Sequence, residues 1–139
     1  FLGNSAFYGG GVFLSVSELE AHNATFVGNT ATDYGGAILA GNSSVTIADG
    51  ARFVNNSATE GGGAVMVYDN CFLLLSDLFF GNQAGQSGGA VVAFSAGTRD
   101  GYATVSHCVF EHNEAGDAGG ALFIGGGFVL INGSRFRSN

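Results

Sequence analysis

The chain has 139 residues, of which 25 are glycine and none is lysine, and its formal net charge is −7. This length suits one domain, and an acidic chain without lysine has little to attract a nucleic-acid phosphate backbone. Phosphate-binding loops, dinucleotide-binding loops and nucleophile elbows have no match in the sequence either.

A composite motif returns along the chain and predicts a repeat protein. Its first half is Phe-x-x-Asn, which occurs as Phe1/Asn4, Phe26/Asn29, Phe53/Asn56, Phe79/Asn82, Phe110/Asn113 and Phe136/Asn139. Its second half is a glycine pair six residues after the asparagine, at Gly10-Gly11, Gly35-Gly36, Gly62-Gly63, Gly88-Gly89 and Gly119-Gly120. Subtracting successive asparagine numbers gives spacings of 25, 27, 26, 31 and 26 residues. A unit this short cannot bury its own apolar face, so successive units must stack on one another.

The repeat unit is built from strands rather than helices. Short apolar runs follow the glycine pairs, at residues 37–40, 64–67, 90–93 and 121–124, and turn-forming residues separate them. Glycine interrupts every window that would otherwise carry a helical apolar stripe. Strands that recur once per unit pair in parallel at about 4.8 Å per coil. The sequence therefore predicts an all-β, right-handed parallel β-helix of about five rungs, with two or three short strands per coil.

We expect residues 1–139 to form a single β-helix segment of a longer solenoid, because neither end carries a polar cap. The expected rungs are approximately 4–29, 29–56, 56–82, 82–113 and 113–139. The first rung is the least regular: its glycines can be aligned in two ways, and Glu18 and Glu20 fall where later rungs have apolar residues, which indicates a local bulge or shift. The fourth rung carries about five extra residues, which we place in a loop over 95–101.

Stacking of identical units predicts two structural columns inside the coil. The aromatic column comprises Phe26, Phe53, Phe79, Phe110 and Phe136, and the amide column comprises Asn29, Asn56, Asn82 and Asn113. Each buried ring contributes about 1.5–3 kcal/mol by area alone. An asparagine amide donates and accepts at once, so stacked amides can bond from rung to rung.

The combination of Phe-x-x-Asn with Gly-Gly-Ala-Ile, or its Val and Leu variants, resembles the repeat of chlamydial-type polymorphic outer membrane proteins. Similar repeats occur in large secreted proteins of algae and other protists. The resemblance covers the whole chain. It implies a right-handed β-helix displayed at the cell surface as an autotransporter passenger, with a role in adhesion.

Acidic residues four positions past the asparagine suggest a second kind of function. The column is Asp33, Glu60, Gln86 and Asp117, with Tyr8 at its head. β-Helical polysaccharide lyases and hydrolases place acids on adjacent rungs, and calcium bound between Asp33 and Glu60 would also fit. The competing interpretation is a solvated turn, since Gln86 interrupts the column and no basic partner shares its register. We expect no catalytic residue, cofactor or metal.

The histidines and cysteines do not form a predicted site. A metal site of His107, Cys108 and His112 is conceivable, but alternation along a strand sends His107 and Cys108 to opposite faces. The third histidine, His22, lies on another rung, so surface histidines are expected. Cys71 and Cys108 are out of register with each other, which predicts free buried thiols rather than a disulfide.

Four asparagines lie in Asn-x-Ser/Thr sequons and are candidates for N-glycosylation. They are Asn23, Asn42, Asn55 and Asn132. If the source is a eukaryote, Asn42 and Asn132 are favoured, because both lie in predicted turns.

The strand after the glycine pair predicts an interaction surface. Its uniform aliphatic position should point inward, so alternation sends the next residue outward. This outward row, the predicted stripe, consists of Phe13, Leu39, Met66, Val92 and Phe123. An apolar stripe of this kind suggests lateral packing on another domain, subunit or filament neighbour. The alternative is that the in/out phase is shifted by one residue.

These observations predict a non-catalytic structural or interaction module of an extracellular or cell-surface protein, such as an adhesin-like passenger, a stalk or a filament component. Its expected partners are protein, including other copies of itself, or a surface glycan. We expect no nucleic acid and no membrane insertion, because glycines break the uncharged stretch 118–134. The alternative is a fragment of a carbohydrate-active β-helix enzyme. The discriminating observation is whether the acidic residues converge in a cleft or lie along a solvated edge.

Overall fold

A computed structural model of the chain describes residues 1–69, 71–95 and 102–139. These residues form twenty β-strands, and every strand pairs in parallel with the equivalent strand of a neighbouring coil. The prediction of an all-β chain folded as a parallel solenoid of about five turns is confirmed. Residues 96–101, which make up most of the predicted inserted loop, lie outside the described residues.

Four sheets of five strands run along the solenoid. Sheet 1 contains β1 (Ser5–Ala6), β5 (Thr30–Ala31), β9 (Ser57–Ala58), β13 (Gln83–Ala84) and β17 (Glu114–Ala115). Sheet 2 contains β2 (Val12–Ser15), β6 (Ile38–Gly41), β10 (Val65–Tyr68), β14 (Val91–Phe94) and β18 (Leu122–Gly125). Sheet 3 contains β3 (Glu18–His22), β7 (Ser44–Ala48), β11 (Phe72–Leu75), β15 (Tyr102–Ser106) and β19 (Phe128–Asn132). Sheet 4 contains β4 (Thr25–Val27), β8 (Arg52–Val54), β12 (Leu78–Phe80), β16 (Val109–Glu111) and β20 (Arg135–Arg137).

Each coil therefore has four strands rather than the two or three predicted. The strands of sheet 1 are only two residues long and follow the repeating asparagine directly. They pair in register, as Thr30 with Ser57 and Ala31 with Ala58. Strands this short contain no apolar run or alternation, so hydrophobic periodicity does not reveal them.

The motif phenylalanines form one file inside the solenoid. In sheet 4 they pair in register from coil to coil, as Phe26 with Phe53 and Phe79 with Phe110. Consecutive rings along the whole file from Phe1 to Phe136 lie 4.6 to 4.8 Å apart between centroids, and their planes agree within 7°. The four central rings are fully buried. Coil spacing and ring spacing are thus the same distance, so one aromatic per coil fills the space.

The motif asparagines form a continuous hydrogen-bonded ladder next to this file. In the central coils, Asn56 Nδ2 donates to Asn82 Oδ1 at 3.0 Å and to the Phe26 carbonyl oxygen at 3.0 Å. Its Oδ1 accepts from Asn29 Nδ2 at 2.9 Å and from the Asn29 backbone N–H at 3.0 Å. The same pattern links Asn82 to Asn113 and Asn113 to Asn139. Each central amide therefore uses both donors and both acceptor positions while fully buried.

The two residues of each glycine pair are required for different reasons. The first, such as Gly62, has a φ of 64° in the left-handed region that favours glycine. The second, such as Gly63, lies against the neighbouring coil: a Cβ there would fall 2.1 Å from the Gly89 carbonyl oxygen and 2.4 Å from that of Gln83. Backbone contact this close leaves no room for any side chain.

The first coil keeps the register of the other coils in sheet 2, but the turn that contains its glycine pair is one residue shorter. Gly9 has a φ of 56°, and Val12 pairs with Ile38, so its glycine pair is Gly9-Gly10 rather than Gly10-Gly11. Of the bulge or shift expected in this coil, the shift lies in the turn before β2, and no bulge forms at Glu18 and Glu20. These residues pair with Ser44 and Thr46 at exposed outward positions, where charge is readily solvated.

Two corners carry shorter polar ladders, in which a side chain accepts the backbone N–H of the preceding coil. At the corner before sheet 4, Ala51 N–H donates to Asp77 Oδ1 at 2.8 Å, Asp77 N–H to Cys108 Sγ at 3.4 Å, and Cys108 N–H to Ser134 Oγ at 3.1 Å. Burial raises the pKa of the Asp77 carboxyl, and it raises that of the Cys108 thiol to about 11. Serine, cysteine and aspartate thus serve one structural position.

At the corner before sheet 3, Ser17 N–H donates to Ser43 Oγ at 3.2 Å and Ser43 N–H to Cys71 Sγ at 3.3 Å. The two cysteines therefore belong to different corners, and both are free and buried. Burial also raises the pKa of the Cys71 thiol.

We predict that Asn56→Leu lowers the free energy of unfolding by about 3 kcal/mol or more, because it leaves several buried partners without a hydrogen bond. Asn55→Leu should cost only about 1 kcal/mol, since Asn55 is exposed but holds a left-handed φ of 52°. Asn55→Gly is the matched control and should be close to neutral, because glycine fills this position as Gly28 and Gly81. Chemical denaturation measures all three, and equal shifts for the two leucine variants would contradict the ladder.

We predict that Gly63→Ala destabilises the chain by about 3 kcal/mol or more, because its Cβ would overlap the backbone of the next coil. The control is Gly28→Ala, which has a φ of 62° and no atom within 4 Å of the added Cβ. That change should cost only the left-handed strain, about 1–2 kcal/mol. The idea fails if thermal melts show Gly28→Ala to be the more damaging substitution.

We predict that Asp77→Ser changes how stability depends on pH. Because burial raises the folded-state pKa of Asp77 above its ordinary value, the folded wild type takes up a proton first as pH falls. Relative to the serine variant, the wild type should therefore gain stability as pH falls through that pKa and lose it as pH rises. Urea titrations of both proteins between pH 7 and pH 4 measure this difference; a constant difference, or one of opposite sign, would refute the assignment.

Candidate functional site

The predicted stripe lies in one row on the outer side of sheet 2. Strand pairing places Phe13 beside Leu39, Leu39 beside Met66, Met66 beside Val92, and Val92 beside Phe123. The alternating residues of the same strands, such as Ile38 and Ala40, belong to the interior core, whereas the row does not. The in/out phase is therefore the one that sends this row outward.

The row is not open to solvent along its whole length. Phe13 is 52% exposed, but Leu39 and Val92 are only 3% and 4% exposed. These two side chains form the floor of a groove, and larger side chains stand around them. The solvent-facing stripe that alternation predicts is thus partly covered, because alternation says nothing of neighbouring rings.

Two of these rings come from a second outward row that the sequence analysis missed. The last position of each sheet 2 strand pairs Gly41 with Tyr68 and Phe94 with Gly125. A Cβ at Gly41 would lie 2.3 Å from Tyr68 Cζ, and one at Gly125 would lie 2.5 Å from Phe94 Cδ2. Each ring therefore lies over the glycine of the neighbouring coil. The sequence does carry a signal for this row, because glycine and aromatic residues occupy equivalent positions of the repeat.

The opposite wall comes from the corner before the glycine pair. The Gly9 N–H donates to the Tyr34 carbonyl oxygen at 3.1 Å, in the same way that the Gly35 N–H donates to that of Gly61 at 3.0 Å. Tyr8 is therefore the equivalent of Tyr34, and Gly61 is the next residue of this column. The groove continues past Gly61, since this position has no side chain to close it.

These walls enclose a surface that we call the outer groove. Its first section has a volume of about 430 Å³ and is lined by Tyr8, Phe13, Tyr34, Leu39, Met66, Tyr68, Asp69 and Phe94. Its second section has a volume of about 320 Å³ and is lined by Tyr34, Glu60, Gly61, Met66, Gln86, Ser87, Val92, Phe94 and Phe123. The sections share Tyr34, Met66 and Phe94, so the groove runs from coil to coil along the solenoid.

The predicted acidic column lies in register beside the groove. The backbone N–H of Glu60 donates to the Asp33 carbonyl oxygen at 2.9 Å, Gln86 to Glu60 at 2.8 Å, and Asp117 to Gln86 at 2.8 Å. The Gln86 side-chain amide donates to the Glu60 carboxylate. Counting from the asparagine places Tyr8 at the head of this column. In the structure Tyr8 is instead the equivalent of Tyr34, so it does not belong to the column.

The carboxylates of the column act electrostatically on the two tyrosines at this wall. Desolvation, and then the negative charge of Asp33, raise the pKa of Tyr8. Desolvation, Asp33 and Glu60 raise the pKa of Tyr34 in the same order. The groove therefore combines aromatic faces with negative charge at its rim.

The histidines lie apart from the groove lining. His22 Nδ1 is 2.7 Å from Asp49 Oδ2 in an exposed pair, and the His112 ring packs edge-on against Phe80. Over residues 1–69, 71–95 and 102–139, no group of three histidine, cysteine or acidic side chains could hold a metal ion. The same residues include no helix of the length and apolarity needed to span a membrane.

The four sequon asparagines are all exposed. Asn23, Asn42 and Asn55 have φ values of 49°, 48° and 52° at corners of the coil. Asn132 is the last residue of β19 and not part of a turn, which corrects its predicted position.

Comparison with known proteins agrees with this architecture. Residues 23–44 match the family model of the Chlamydia polymorphic membrane protein repeat. This stretch contains Phe26, Asn29, the Gly35-Gly36 pair and the whole of β6, so the match falls on both halves of the repeating motif. The chain matches no curated protein and no solved structure at a significant level. The chain is thus a parallel β-solenoid in which residues 23–44 are similar to the Chlamydia polymorphic membrane protein repeat.

Proposed function

We propose that the chain is a non-catalytic interaction module of a cell-surface protein, in which the solenoid is a scaffold and the outer groove contacts a partner. The observation that carries the proposal is the groove itself. It gathers several aromatic side chains on one sheet face, and Tyr8, Phe13 and Phe94 expose 43%, 52% and 44% of their surface.

The interior favours a scaffold role. No buried side-chain nitrogen or oxygen in the described part of the chain lacks a hydrogen-bond partner. The phenylalanine file and the asparagine ladder are made by the same residue type in successive coils, so these contacts serve stacking and leave nothing for a ligand. Binding is thus confined to the outward faces.

The outward faces differ in a way that singles out sheet 2. The outward row of sheet 1 is polar in every coil and consists of Ser5, Thr30, Ser57, Gln83 and Glu114. The corresponding row of sheet 2 is apolar in every coil. Apolar patches that a protein keeps on its surface are typical of interaction sites.

The position of the acids favours interaction over carbohydrate-active catalysis. Asp33, Glu60 and Asp117 lie along one edge with Gln86 between the last two, and the Glu60 carboxylate is hydrogen-bonded to the Gln86 amide. An amide does not act as a general acid or base, so this contact supplies no proton-transfer partner. Display at the cell surface and a contribution to adhesion are the roles that fit such a module best.

We predict that beads coated with the chain adhere to cultured epithelial cells through the outer groove. Tyr68→Ser combined with Phe94→Ser should reduce the number of attached beads about fivefold or more, because it removes two ring walls. The control is Ser57→Ala combined with Gln83→Ala on sheet 1, which should leave adhesion unchanged. Circular dichroism melts establish that both proteins are folded. Equal adhesion of the folded groove variant and the wild type would overturn the proposal.

A further inference from the structure

We infer that the outer groove recognises cationic side chains, the lysine or arginine residues of an extended segment of a partner protein. The inference rests on the proposed interaction role and adds the chemistry of the partner. It combines three observations on the groove: its exposed rings, the charges at its rim, and its length along the solenoid.

The rings provide surfaces that attract a cation. The face of an aromatic ring carries partial negative charge and binds an ammonium or guanidinium group placed within about 6 Å of its centroid. In the groove, Tyr8 and Phe13 lie 6.3 Å apart between centroids with planes 28° apart. Tyr68 and Phe94 line the same section from the last position of the sheet 2 strands, whereas Tyr8 precedes β2, so a side chain that enters the section meets several rings.

Among the described residues, the charged side chains that line the groove are negative. Asp69 lines the first section and Glu60 the second, and both are partly buried. Asp33 lies near the rim, since its negative charge raises the pKa of Tyr8. The chain has no lysine, and the described arginines, Arg52, Arg135 and Arg137, belong to sheet 4. A basic segment is complementary to this surface, whereas a sulfated or uronic-acid glycan would be repelled.

The groove has the length of a short peptide. It extends from Phe13 in the first coil to Phe123 in the last, which is four coil spacings or about 19 Å. An extended chain rises about 3.3–3.6 Å per residue, so five or six residues span this distance. Alternate side chains of such a segment would point into the groove, and a sequence with a basic residue at every second position would place each cation among rings and carboxylates.

The test measures binding of immobilised six-residue peptides to the full chain by surface plasmon resonance. The peptides alternate alanine with lysine, arginine, norleucine or glutamate, so norleucine supplies the apolar stem without the charge. We expect the lysine and arginine peptides to bind at least tenfold more tightly than the other two. Raising the salt concentration from 50 to 500 mM should weaken this binding several-fold, because the attraction is electrostatic.

Two variants and one control separate the contribution of the carboxylates to peptide binding from that of the rings. Asp69→Asn with Glu60→Gln should weaken binding of the basic peptides about tenfold while the rings remain, and Phe94→Leu should weaken it about threefold while the charges remain. Glu114→Gln on sheet 1 removes one charge elsewhere and should have no effect. Equal binding of the norleucine peptide, binding without salt dependence, or preferential binding of a neutral hexasaccharide would overturn the inference.

The two proposals fail in different ways. If the groove variant abolishes bead adhesion but the basic peptides do not bind, the groove is an interaction surface for another chemistry and only the present inference is lost. If the folded groove variant adheres like the wild type, the proposed function is lost as well.

Discussion

The structure depends on hydrogen bonding between equivalent residues of successive coils at a fixed spacing of about 4.8 Å. A buried amide such as Asn56 can satisfy its donors and acceptors only if the coils on both sides present an amide or carbonyl at the same place. This requirement extends to the phenylalanine file, since one ring fills the distance between coils. The repetition in the sequence is the direct consequence, because a coil that departs from the pattern leaves its neighbours unsatisfied.

The same constraint divides the chain into an interior that must repeat and an exterior that need not. The second position of the sheet 2 strand carries phenylalanine, leucine, methionine, valine and phenylalanine in successive coils, although the backbone register is the same. The outer groove arises from such differences between coils. Tyr34 is followed in its column by Gly61, and Gly41 lies under Tyr68. A regular interior can therefore carry an irregular outer surface without any change in its core contacts.

The fold could be predicted from the sequence because the motif fixes the period and the period fixes parallel stacking. What escaped prediction depended on register between coils. The strands of sheet 1 contain two residues and no apolar pattern, so the sequence did not predict sheet 1. Counting from Asn4 misplaced the first glycine pair by one residue, and this hid the equivalence of Tyr8 and Tyr34. Likewise, the burial of Leu39 depends on rings from other coils, which alternation within one strand cannot reveal.

The asparagine ladder also gives the solenoid a direction. From Asn4 to Asn113, each Nδ2 group donates to the Oδ1 atom of the following coil, and none donates to that of the preceding one. The column of amides is therefore a row of aligned dipoles, with donors facing one end of the solenoid and acceptors the other. Two solenoids of this kind can continue one another head to tail, whereas a head-to-head junction would oppose like groups across the joint.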